Sequence, residues 1–69
     1  MAVVKIIELV GSSKKSSDDA AQQALTQAKE SLRNIRALDI VSTGIRGDNL
    51  DEFRAHVRVA FLIESTDVD

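Results

Sequence analysis

The residues with the most chemical capacity alternate near the end of the chain: Arg54, His56 and Arg58 in FRAHVRVAF. Alternate residues of an extended segment share a face, so these three form one cationic row with neighbours about 7 Å apart. Two flanking guanidinium groups disfavour a protonated or cation-binding imidazole, and His56 is expected to be solvated or to lie at an interface. Asp39 reaches the same row if 35–46 and 51–64 pair as a hairpin, because strand parity then puts Ala37 and Asp39 on that face. A cross-strand ion pair there is worth about 0.2–1 kcal/mol. Where symmetry copies bring such carboxylates together, they would instead suit a hard cation, calcium or magnesium. No serine or carboxylate stands at a triad spacing and no paired carboxylates stand out, so the expected role is binding, not catalysis.

Two glycine-containing segments invite a stronger reading and do not support it. GIRG at 44–47 matches a nucleic-acid-clamping G-x-x-G loop, but that loop joins two helices, whereas this one opens a hairpin turn. GSSKKSS at 11–17 lies between a strand and a helix, yet lacks the second glycine by which a phosphate-binding loop wraps its ligand. A weaker anion contact at the helix start is the most it offers. Nine Lys and Arg against eleven Asp and Glu, a net charge of −2, also argue against a nucleic-acid partner. The opening MAVVKIIELV is too short and too charged to span a membrane and has no signal-cleavage pattern. A cytoplasmic protein with no membrane partner is expected.

The elements that must position these residues follow from the apolar pattern. Val3, Val4, Ile6, Ile7, Leu9 and Val10 form a β-branched run ending at Gly11, expected to be a strand buried on most of both faces. Ser16 suits a helix N-cap, and Asp18 and Asp19 complement the positive end of the helix dipole. Ala21, Leu25, Ala28, Leu32 and Ile35 recur at helical spacing and predict a helix over 17–33 with a narrow, alanine-rich apolar stripe. Such a stripe lets a helix lie close to the concave face of a curved sheet. A second strand is expected at 35–46, a turn with Asp48 and Asn49, and a third strand at 51–64. In that third strand Phe53, Ala55, Val57, Val59, Phe61 and Ile63 face the core. The fold class is α+β: a β-α-β-β subunit with a three-stranded antiparallel sheet and one helix. Residues 1–64 form a single domain, and 65–69 read as a frayed acidic tail.

A domain of 69 residues is marginal, with roughly 3–10 kcal/mol of stability if it stands alone. Small domains are usually reinforced by disulfides, a structural metal or a partner subunit. No cysteine is present and only one histidine, which excludes disulfides, thiolate zinc sites and a His-rich metal site within one chain. Self-association remains, and 43% apolar residues supply the surface for it.

In that order, AVVKIIELVGSS, SSDDAAQQALTQAKESLRNIR and FRAHVRVAFLIE resemble the dodecin family over nearly the whole chain. The resemblance implies a sheet wrapped around a single helix and a hollow homo-dodecamer of cubic symmetry. It also implies storage of a small ligand without turnover, commonly flavin (riboflavin or FMN) held as stacked pairs between two-fold-related subunits. Calcium and coenzyme A are ligands of other members. Aligning LRNIRALDIV places Ala37 where flavin binders carry a stacking tryptophan, and Arg54 where they carry a glutamine at the ring's polar edge. The chain has no Trp or Tyr. Stacking contributes about 1–3 kcal/mol per contact, so a paired site without two indoles loses roughly 2–6 kcal/mol. Flavin binding is expected to be weak or lost, and the alternatives are a calcium- or magnesium-binding shell or a structural or interaction module without a ligand. The ligand positions are then the diverged pair Ala37 and Arg54, with Asp39, His56 and Arg58 as ion or interface contacts.

Overall fold

The computed structural model describes residues 3–63, and the expected acidic tail falls outside them. Strand β1 (Val3–Ser13) leads into helix α1 (Ser17–Ser31), followed by β2 (Ile35–Arg46) and β3 (Glu52–Ile63). The three strands form one antiparallel sheet in the order β1-β3-β2, so the strand bearing the cationic row is central. The expected β-α-β-β architecture is therefore present, with β2 and β3 as the hairpin.

Local chemistry explains the helix entry. The Ser16 hydroxyl accepts from the Asp19 amide at 3.0 Å, capping α1 as expected. The Ser13 hydroxyl donates to Asp19 Oδ2 at 2.6 Å and accepts from the Lys15 amide at 2.9 Å, tying the end of β1 to the first helical turn. The Ser13 bond is the main reason the Asp19 carboxyl lies below the ordinary aspartate range. Asp19 thus already supplies the negative charge that the helix start favours, which leaves the sequence 11–17 with no need of a bound anion.

The core is built from alanine and valine. Ala20, Ala21, Ala24 and Ala28 of α1 pack on Ala55, Val57 and Val59 of β3, flanked by Ile7, Leu9, Leu32, Ile35 and Leu38. The buried stripe is centred on Ala20, Ala24 and Ala28, so Leu25 lies at its margin and not in its middle. Helix α1 also ends two residues before the expected boundary, at the chain reversal through Asn34, whose φ is 59°.

Gly11 does not terminate β1. The strand runs on to Ser13, and a Cβ at position 11 would sit against the Ala20 carbonyl oxygen and 3.1 Å from Ala24 Cβ. The missing side chain is what allows helix and strand backbones to touch. Gly44, expected to serve the turn, likewise lies inside β2. Gly47 is the turn glycine, at φ 99°.

The expectation of a strand buried on both faces is not met by β1. Val4, Ile6 and Val10 are all more than half exposed, because α1 covers only one side of the sheet and β1 is its edge. Helix α1 lies over β1 and β3 and barely reaches β2, so Ile40 and Ile45 are open as well. The Cα radius of gyration is 14.4 Å, against about 11 Å for a compact chain of this length. No helix among the described residues is long and apolar enough to cross a membrane.

Candidate ligand-binding face

The side of the sheet turned away from α1 gathers the polar side chains. Along β3 it carries Glu52, Arg54, His56, Arg58, Ala60 and Leu62, while Phe53, Ala55, Val57, Val59 and Phe61 face the helix side. The expected division of the third strand holds.

Pairing to β3 sets what joins this row from either side. Strand β1 places Glu8 opposite Arg58 and Val10 opposite His56. From β2 come Ala37 opposite Ala60, Asp39 opposite Arg58, Ser42 opposite His56, Gly44 opposite Arg54 and Arg46 opposite Glu52. Two register shifts, between Ile35 and Ala37 and between Ile40 and Ser42, leave Arg36 and Val41 as extra residues. Each bulge keeps alternate residues of β2 aimed correctly: Ile35, Leu38 and Ile40 stay on the helix side, and Asp39, Ser42 and Gly44 on the open side.

Glu8 is the organising carboxylate. Its Oε1 lies 2.7 Å from His56 Nε2, and its Oε2 accepts from Arg58 Nε at 3.2 Å. The His56 bond first, and the Arg58 bond second, hold the Glu8 carboxyl below its ordinary value of 4.5. His56 is therefore bound to an acid across the β1–β3 pair, a partner that reading Arg54, His56 and Arg58 alone could not reveal. The expected ion pair between Asp39 and the cationic row is absent among the described residues, although the register is as expected. With β3 central, Arg58 has a carboxylate opposite it on both sides, and its guanidinium is drawn to Glu8 on β1.

Arg54 Nη2 donates to Glu52 Oε1 at 3.3 Å, and Arg46 Nη1 donates to its own neighbour's carbonyl, Ile45 O, at 3.0 Å. Sequence reasoning named Arg54 but passed over Glu8 and Arg46. The signal for Glu8 was a lone carboxylate within an apolar strand, at the same parity as Val4, Ile6 and Val10. Nothing marked Arg46 until the position of Gly44 was known.

The face does not suit an isoalloxazine ring held by stacking. Ala37 is exposed and offers only a methyl group, both phenylalanines lie on the opposite side, and the chain has no other aromatic residue apart from His56. No group of three or more acidic or histidine side chains converges among the described residues. Glu8 and Glu52 are already engaged by cationic neighbours.

The fold and sequence both match known proteins. The structure of a Thermus thermophilus dodecin with an arginine-to-alanine substitution is 31% identical, covers 96% of this chain and 100% of its own, and superposes with a TM-score of 0.86. The Streptomyces coelicolor dodecin, at 22% identity, shares the fold with a TM-score of 0.84 over 94% of this chain and 96% of its own. Mycobacterium tuberculosis calcium dodecin, a calcium-chelating immunodominant antigen with a novel calcium-binding site, is 25% identical, with coverage of 97% and 99% and a TM-score of 0.80. No curated protein matches the sequence. The dodecin family's sequence profile matches residues 3–64, and the chain belongs to that family.

Proposed function

We propose that this chain is the subunit of a homo-dodecameric shell that sequesters a small ligand on the inter-subunit faces of its sheet and catalyses no reaction. The observation that carries this reading is the uncovered face. It sets a hydrogen-bonded polar group, Glu8 with His56 and Arg58, beside the exposed apolar residues Val4, Ile6 and Val10. Apolar residues in that position are stabilised by burial against another copy, at about 25 cal/mol per Å² removed from water. Family membership favours that copy being the same chain, and a soluble cytoplasmic shell follows from the same reading.

Flavin binding is weak or lost in this proposal, because Ala37 takes the place of the stacking residue. A calcium-loaded shell is the second reading. It is favoured by the exposed Asp39 on the open face, which symmetry could bring near its equivalents, and by the calcium-binding relative.

Size-exclusion chromatography with light scattering tests the shell. Twelve copies of a 7.5 kDa chain give a particle of about 90 kDa. A folded, stable monomer would remove the shell and every shared site with it. Calcium is tested by melting temperature with and without the ion, since a ligand of the native state raises it. A rise that disappears in Asp39→Ala supports the second reading, and no rise in the parent protein eliminates it.

A further inference from the structure

Glu8 is the one carboxylate that β1 contributes to the open face, and its same-face neighbours Ile6 and Val10 are both more than half exposed. It joins two cationic side chains of β3 at once, with Oε1 2.7 Å from His56 Nε2 and Oε2 accepting from Arg58 Nε at 3.2 Å. The other charged groups of this face are Glu52 and Arg54 on β3 and Asp39 and Arg46 on β2, with Arg36 at the bulge beside Ala37. Helix α1 packs on the opposite side of the sheet and adds none. Glu52 is paired with Arg54, and Asp39 makes no ion pair among the described residues. Glu8 is thus the carboxylate that neutralises the row at its middle.

A two-fold contact brings the same patch from both copies, so each subunit's row is carried into the contact together with Val4, Ile6 and Val10. A charge taken out of water without its partner is costly, and like charges meeting across a contact add repulsion. Protonating Glu8 leaves Arg58 without its carboxylate, and leaves His56, an imidazole that is cationic in acid, without its acceptor. The subunit's own core has no such dependence, because it is alanine and valine and buries no polar or charged side chain among the described residues. The bonds from His56 and Arg58 hold the Glu8 carboxyl below 4.5, so it is ionised at neutral pH and is neutralised only as pH falls through the lower folded value.

We propose that Glu8, with His56 and Arg58, is an acid-release device for the assembly, an assignment that rests on the shell reading above. While Glu8 is ionised, the open faces of two copies can close on one another. Once it is protonated, uncompensated cationic rows face each other and the shell comes apart before the subunit unfolds.

Light scattering and far-ultraviolet circular dichroism on the full chain, stepped from pH 7 to about 3.5 at fixed concentration and ionic strength, test it. The parent should hold a mass of about 90 kDa at pH 7, lose it below pH 4.5 with its ellipticity retained, and regain it on return to neutrality. Glu8→Gln, neutral at every pH, should require roughly tenfold or more protein to assemble at pH 7. The triple variant Glu8→Gln, His56→Gln, Arg58→Gln should assemble again and ignore the acid step, since the cations are gone together with the carboxylate. Asp19→Asn alters the other carboxylate held below its ordinary value, at the start of α1, and should leave the mass transition at the parent's pH. The assignment is overturned if ellipticity is lost together with mass, if Glu8→Gln assembles and dissociates as the parent does, or if the triple variant stays dissociated at pH 7. An intact shell at every pH refutes the acid release alone, whereas a parent that is already a monomer at pH 7 refutes the shell and the device with it.

Discussion

Replacing Gly11 with alanine should destabilise the protein by about 2 kcal/mol, although the change adds one methyl group in a strand. At this position α1 crosses β1 so closely that the new Cβ would press on the Ala20 carbonyl oxygen and lie 3.1 Å from Ala24 Cβ. A flexible side chain could swing aside, but the Ala20 carbonyl is fixed in the helix, so α1 as a whole must lift. Overpacking of this kind costs up to about 3 kcal/mol, and restricting the unfolded chain returns about 0.4–1 kcal/mol. The melting temperature should fall by about 8–16 °C, at roughly 4–8 °C per kcal/mol for a domain of this size. Scanning calorimetry at one fixed protein concentration reads the effect, because assembly makes melting concentration-dependent. Ser12→Ala, one residue along on the exposed face, is the control and should stay within about 0.5 kcal/mol of the parent. A Gly11→Ala protein that melts with the parent would show that helix and strand are not in backbone contact, and the account of the alanine-rich core would go with it.

Other changes bear on the open face and the helix. Ala37→Trp should raise riboflavin affinity by roughly 30-fold to 10⁴-fold if two restored indoles stack in a shared site. Quenching of flavin fluorescence reads this, and unchanged quenching would mean that more than the aromatic ring has been lost. Ser16→Ala removes the cap of α1 and should cost about 1 kcal/mol, seen as a melting point lower by about 4–8 °C; an unshifted melt would refute the capping role. Glu8→Gln should melt below the parent at neutral pH. Because the folded state holds the Glu8 carboxyl below 4.5, its contribution is complete above that value and is lost as pH falls through the lower folded value. The gap between parent and variant should therefore close in acid, and a gap that widens there would contradict the assigned bonds to His56 and Arg58.

Much of the fold was legible because its signals are local. Alternation along 53–63 assigned both faces of β3 correctly, and the serine cap with two following aspartates marked the start of α1 to within a residue. Legibility failed where the deciding contact lies between elements. Gly11 and Gly44 looked like punctuation because glycine often ends a strand, and only the helix above one and the arginine above the other reveal their packing roles. The bulges at Arg36 and Val41 leave no mark on a run that reads as a continuous strand, yet they decide which β2 side chains join the open face. Glu8 and Asp39 could each have been the partner of Arg58 until the order β1-β3-β2 put one on each side of it.

The same reasoning explains why the site and the core can diverge independently in this fold. Alanines on α1 and small residues on the inner row of β3 set the distance between helix and sheet, and that distance admits almost no substitution at Gly11. The outer row of the same strand meets no such wall, so Arg54, His56 and Arg58 can vary without disturbing Ala55, Val57 or Val59. On the reading proposed above, substitution at Ala37 or Arg54 alters the ligand that the open face accepts while leaving the core of the subunit intact.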